Sequence, residues 1–267
     1  MTMYDAALAR SPSWTDSGES MLDARSFIRL MENDIPYLRI PAAASAEECE
    51  ALVAAATEIG FSAYRNVEPK INRIGLTAFE YNRFSEDQYF ADVRSMNAVQ
   101  QRIFARSFDP LQRMLGLVRD ATGLPVRLAR KDGVGDYYAG LVRRIEEGTL
   151  IHVDFAPGEQ ARWAEISDVR YQLAWNLYLR ISEPGEGMTH VFDRQWREAD
   201  DAWKTGSYGY EPAVVAGAEE AVFAPVVGEI VLFNTRNYHY VEEIAGERVT
   251  FTSALGLLPS DEVVFWS

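Results

Sequence analysis

The sequence predicts a mainly β domain, a sandwich or barrel, with a helical buttress on its N-terminal side. Three observations carry this. From Val126 onward, short β-branched and aromatic runs alternate with Gly, Pro, Asp and Glu, at 126–130, 137–144, 149–155, 171–181, 187–193, 213–224, 229–233, 238–244, 248–256 and 262–266. Many short strands at such spacing indicate a sandwich or barrel. Between residues 85 and 121, apolar residues recur at helical spacing. The 267 residues, 48% of them apolar, suffice for one sizeable core.

The elements follow in order. Residues 1–20 are rich in Ser, Thr, Asp and Gly without periodicity and read as a flexible N-terminal arm. A single domain is expected over 21–267, with its helical part at about 45–121 and its β core at about 126–267. After the apolar stretch Ile35 to Ile40, Ser45 is placed to cap a helix and Glu48 to reach back to it. That Ala-rich helix runs to Ile59 and stops at Gly60. Phe90, Val93, Met96, Val99, Ile103 and Phe104 mark a second helix, and Leu111, Met114, Leu115 and Val118 a third, divided by Pro110. A short helix from Gln195 to Trp203 interrupts the strands.

Charge and cysteine content exclude several function classes. The chain carries 26 Lys and Arg against 40 Asp and Glu, a net charge of −14. Nucleic-acid affinity comes mainly from cations displacing condensed counterions, so neither nucleic acid nor an anionic membrane surface is expected as a partner. Cys49 is alone, too few for an internal disulfide, a structural zinc site or an iron–sulfur cluster. No apolar run is long enough to span a bilayer, and the first residues lack an export signal, which points to the cytoplasm. Any soft-metal ligand set must draw on His152, His190 and His239, the three histidines present.

His152-Val153-Asp154 lies in a strand-like run, and strand residues two apart share a face. His239 follows 87 residues later. Two imidazoles and a carboxylate on a β scaffold leave half of an octahedral metal open, the arrangement of non-haem Fe(II) oxygenases. The tripeptide alone is weak evidence, since about 0.45 His-x-Asp/Glu matches arise by chance at this composition. The sequel strengthens it. Arg248 lies nine residues after His239, and Thr250 shares its strand face. A guanidinium holds a carboxylate with two hydrogen bonds, and a hydroxyl adds another. An ion with open positions plus such a clamp is what chelation of 2-oxoglutarate requires. Alternatively, Arg248 is a surface strand residue facing Glu242 or Glu243, while His152 and His239 are hydrogen-bonded core histidines. His190 has no acid two positions on and reads as structural.

The pattern His152-x-Asp154, His239 and Arg248-x-Thr250 resembles the Fe(II)/2-oxoglutarate-dependent oxygenase superfamily. That resemblance implies a double-stranded β-helix, a jelly-roll (cupin-like) core. The stretches Arg73-Ile-Gly-Leu-Thr77, Tyr137-Tyr-Ala-Gly-Leu-Val142, Leu173-Ala-Trp-Asn-Leu-Tyr178, Leu232-Phe-Asn-Thr-Arg-Asn-Tyr-His239 and Phe265-Trp-Ser267 are similar to the carrier-independent amino-acid radical halogenases and their hydroxylase relatives. Halogenases of that group have Gly or Ala where Asp154 stands, because halide takes the carboxylate's place on iron. Asp154 therefore implies hydroxylation.

The resemblance implies Fe(II) on His152, Asp154 and His239, 2-oxoglutarate as cosubstrate held by Arg248 and Thr250, and O2 as oxidant. The substrate would be a free amino acid or derivative, with Arg73, Thr77, Asp136 and Trp266 as its expected contacts, and the enzyme a monomer or homodimer. The same iron site could instead catalyse desaturation, cyclisation or another radical rearrangement. From other classes, a zinc hydrolase with the same three ligands, or a non-catalytic jelly-roll binding module, are the rivals.

Overall fold

The computed structural model describes residues 14–16, 20–65 and 67–267. Residues 1–13 and 17–19 of the expected arm lie outside the described residues, whereas Trp14 is buried and its backbone N–H donates to Asp193 at 3.0 Å.

Four helices form the buttress: α1 (Ala24–Met31), α2 (Ala46–Ile59), α3 (Glu86–Phe104) and α4 (Pro110–Thr122). The sequence reading did not include α1. Ser45 caps α2, accepting from the Glu48 N–H while the Glu48 carboxylate accepts from the Ser45 N–H. Gly60 ends it at φ +89°, a conformation costly for any residue with a Cβ. Pro110 occupies the first turn of α4, where its missing N–H is not needed.

Ten strands carry the β core: β1 (Tyr37–Ile40), β2 (Ile71–Ile74), β3 (Leu141–Ile145), β4 (Tyr171–Ile181), β5 (Thr189–Gln195), β6 (Glu220–Phe223), β7 (Ile230–Asn234), β8 (Asn237–Val241), β9 (Arg248–Leu257) and β10 (Val263–Trp266). The larger sheet runs β1-β7-β4-β9-β3-β2, with β10 also on β9, and the smaller runs β6-β5-β8. Together they form the jelly-roll.

Strand alternation sorts the two faces of the larger sheet. Leu173, Trp175, Leu177 and Leu179 of β4, with Val249, Phe251 and Leu255 of β9, pack outward on Leu52, Ala56, Met114 and Leu115 of the helices. Each fully buried aliphatic side chain there contributes about 1.5–3 kcal/mol. The opposite face is polar although buried: Asn176 and Tyr178 stand beside Thr252 and Thr250 in register. A buried polar group is costly unless it finds a hydrogen-bond partner, as Thr252 does in the Trp175 carbonyl.

Three local expectations are corrected. The run 149–155 makes a single bridge, His152 to His239, rather than a regular strand. Its other pairings are irregular, with the Val241 N–H donating to the Thr149 hydroxyl and the Asp154 N–H to the Thr235 carbonyl. Of 213–224, only Glu220–Phe223 forms a strand, β6, because Pro212 opens a turn of 3-10 helix through Val215. The expected helix after Gln195 likewise shortens to a 3-10 helix, Glu198–Trp203.

Candidate metal and cosubstrate site

His152 and His239 face each other across the bridge, ring centroids 4.2 Å apart. Their Nδ1 atoms lie 2.8 Å from the Leu150 carbonyl and 2.9 Å from the Asn237 carbonyl. A carbonyl only accepts, so each Nδ1 carries the proton and each Nε2 presents its lone pair. Asp154 Oδ2 stands 3.9 Å from His152 Nε2 and 3.8 Å from His239 Nε2. The three donors lie within 4.8 Å of one another, and the Asp154 side chain is half-exposed. Burial, then the adjacent His152, push the pKa of His239 down to about 3. The ring is therefore neutral, the form that ligates. An ion with nitrogen and carboxylate ligands and open positions fits these donors.

Arg248 has no carboxylate partner among the described residues, although it is only 2% exposed. Its Nη2 donates to the Thr189 hydroxyl at 3.2 Å, tying β9 to β5, and its guanidinium stacks 5.0 Å from the Tyr178 ring. Burial holds its pKa below the ordinary arginine value. Arg248 Nε, Thr250 Oγ1 and Tyr178 Oη are buried without a protein hydrogen-bond partner. An unpaired buried charge is expensive, and orphaned donors around it add to the cost. A carboxylate arriving there offsets both, so the donor set fits a dicarboxylate cosubstrate.

In front of Asp154 lies a cavity of two lobes, about 230 and 100 Å³, sharing Tyr64, Phe79, Arg143, Asp154 and Gln160 in their walls. Thr77 and Trp266 line the smaller lobe. Arg73 lines neither. Its Nε and Nη2 both donate to Glu80 Oε2, its Nη1 donates to Ser62, and the Tyr64 ring covers it at 4.7 Å. Asp136 is also corrected, because the Arg130–Lys131 and Gly135–Asp136 hairpin leaves it exposed and outside the cavity walls. His190 is clamped between Glu220 (2.6 Å) and Glu242 (2.8 Å), a structural role that joins β6, β5 and β8.

Sequence reasoning singled out neither Arg143 nor the Tyr178 hydroxyl as a site group. The alternation Leu141, Arg143, Ile145 on a strand was a signal for an inward-facing cation.

Residues 19–267 match the family described as carrier-protein-independent halogenase WelO5. The chain belongs to that family. It is an Fe(II)/2-oxoglutarate-dependent oxygenase, which sets aside the zinc hydrolase and the non-catalytic module. A Purpureocillium lilacinum relative, leucinostatins biosynthesis cluster protein S, is 38% identical over 217 residues, 75% of this chain and 87% of the relative. An L-gamma-glutamyl-L-propargylglycine hydroxylase from Streptantibioticus cattleyicolor is 32% identical over 161 residues, 60% of this chain and 59% of that enzyme, less than two thirds of its length. Among solved structures, an N-substituted L-amino acid dioxygenase from Burkholderia ambifaria aligns with TM-score 0.64 at 17% identity over 91% of each chain. The epimerase SnoN from nogalamycin biosynthesis aligns with TM-score 0.53 at 13% identity over 89% and 85%. These two show the fold.

Proposed function

We propose that this enzyme hydroxylates an unactivated C–H bond of a small amino acid or amino-acid derivative, with His152, Asp154 and His239 holding Fe(II) and Arg248 and Thr250 holding 2-oxoglutarate. The observation that carries this reading is Asp154 standing beside both imidazoles. A carboxylate there occupies the position a halide needs, so hydroxylation is favoured over halogenation within the family. The hydroxylase relative supports the same outcome and the amino-acid substrate class.

When bound, Fe(II) and 2-oxoglutarate with O2 supply the oxidising power for C–H hydroxylation. The chain's own residues supply aim and protection. The carbonyls of Leu150 and Asn237 accept from both Nδ1 atoms, which leaves each Nε2 facing the position of the ion. Arg248 pairs with the far carboxylate of the cosubstrate, and Thr250 and Tyr178 add hydroxyl donors from the adjacent register position. Tyr64, Phe79 and Trp266 give the cavity wall apolar surface against which the substrate's carbon skeleton packs. Among the described residues no helix is long and apolar enough to cross a membrane, and we propose a cytoplasmic location.

The test is succinate release with Fe(II), 2-oxoglutarate and O2 while free amino acids and small peptides are added singly. A substrate that stimulates succinate and gains one oxygen atom by mass supports the reading. Stimulated succinate with loss of two hydrogens would instead indicate desaturation at the same site.

A further inference from the structure

Among the described residues, Arg143 is the one arginine or lysine in the walls of the cavity before Asp154. It lies on β3 in register between Arg73 of β2 and Thr250 of β9, and it borders both lobes of the cavity. The next residue, Arg144, turns to the other side of the strand, against Phe61 and Glu146. No carboxylate lies within ion-pair distance of Arg143 among the described residues, and its Nε is buried without a hydrogen-bond partner. The surroundings add to its charge imbalance, because Arg248 and Arg143 repel each other. Two guanidiniums on one inner face, neither paired with a carboxylate among the described residues, call for two anionic groups. The deeper Arg248 accounts for one of them.

Arg73, the cation expected to meet a substrate carboxylate, is neutralised by Glu80 and covered by Tyr64. Resting on the oxygenase reading above, we infer that Arg143 is the residue that binds a carboxylate of the substrate, and that the enzyme thereby selects substrates bearing a free carboxylate in the cavity before Asp154. The planar fork of a guanidinium suits a carboxylate with two parallel hydrogen bonds. The aromatic walls, Tyr64, Phe79 and Trp266, leave the rest of the substrate an apolar path toward Asp154.

The experiment compares proteinogenic L-amino acids, their N-acetyl derivatives and the α-carboxamides of both. Binding is measured by calorimetry on the full chain loaded with Mn(II) and 2-oxoglutarate, which avoids turnover. For wild type, the carboxylate member of each binding pair is favoured over its carboxamide by at least about tenfold, the equivalent of one charge-assisted hydrogen bond. In Arg143→Gln that preference falls toward unity. Arg143→Lys, which keeps charge and loses the fork, retains part of it and serves if the glutamine variant does not fold.

A preference unchanged in both variants overturns the inference. So does a weakened 2-oxoglutarate affinity in Arg143→Gln with selectivity retained, which assigns Arg143 to the cosubstrate. If no carboxylate-bearing compound binds wild type, the inference also fails. The oxygenase reading is judged separately, by whether substrate-free succinate release depends on Arg248.

Discussion

His152 and His239 hold each other in place through their backbones: the N–H of His152 donates to the carbonyl of His239 at 3.0 Å, and the return bond is 2.9 Å. The ligand pair is thus set by one antiparallel bridge between segments 87 residues apart. Because the bridge uses main-chain atoms, replacing a side chain removes a ligand without removing the register. His239→Ala is expected to keep the fold, with a destabilisation of about 1–3 kcal/mol from the buried space it vacates. Fe(II) binding measured anaerobically, and succinate release, are both expected to be lost. A variant that still turns over would remove His239 from the ligand set.

Arg248→Ala is expected to raise the 2-oxoglutarate requirement by about tenfold or more, since charge-assisted hydrogen bonds contribute about 1.5–3 kcal/mol each. It also deletes an unpaired buried charge, so apo stability should hold or rise. That combination, weaker cosubstrate binding without a lower melting temperature, separates a ligand clamp from a structural arginine. Titration of 2-oxoglutarate alongside thermal unfolding measures both, and an unchanged requirement would return Arg248 to a packing role.

Asp154→Gly removes the negative ligand and leaves the two imidazoles. Charge balance then favours an external anion at the vacated position. Chloride is expected to strengthen Fe(II) binding by the Asp154→Gly protein and to leave wild type unaffected, as read by anaerobic metal titration with and without the salt. Hydroxylation is expected to disappear. Indifference to chloride together with persistent hydroxylation would show that Asp154 is not the third ligand.

The parts of this molecule legible in its sequence are those whose cause is local. Ser45 and Glu48 sit three apart, so their reciprocal cap could be read directly, and Pro110 could only begin a helix there. His152 and Asp154 share a side because extended chain alternates, even though their segment is not a regular strand. Arg73 and Glu80 could not be read as a pair, because a 3-10 turn at Ala78–Tyr81 brings them together. Arg143 and Arg144 are adjacent, and only the register of β3 on β9 decides which one faces the cavity. The irregular pairing of 149–155 depends on Thr235 and Val241, which sequence periodicity does not locate.

The cap on α2 predicts an acid-dependent contribution to stability. Hydrogen bonds from Arg113, then from the Ser45 N–H, hold the Glu48 carboxyl down at about 2, against an ordinary 4.5. A pKa lowered on folding stabilises the protein above the unfolded value and loses that contribution as pH falls toward the folded one. Both side chains are about one third exposed, so screening limits the contribution to about 1 kcal/mol. Glu48→Gln is therefore expected to lower the melting temperature at pH 7 and to converge with wild type between pH 4.5 and 2. A constant difference across that range would mean the carboxylate charge contributes nothing.

Arg73→Met tests whether the Arg73–Glu80 pair is structural. Both side chains are at least nine-tenths buried, and Thr77 also donates to the Glu80 carboxylate, at 3.1 Å. Removing one partner of a buried pair strands the other charge, at a cost of about 3–5 kcal/mol, whereas removing both leaves little uncompensated. The single variant is expected to unfold at clearly lower urea concentration than wild type. Combining Arg73→Met with Glu80→Gln should recover much of the loss, a non-additivity that a double-mutant cycle measures directly. Native-like stability of Arg73→Met, accompanied by weaker binding of carboxylate-bearing amino acids, would instead make Arg73 a substrate contact and displace Arg143 from that role.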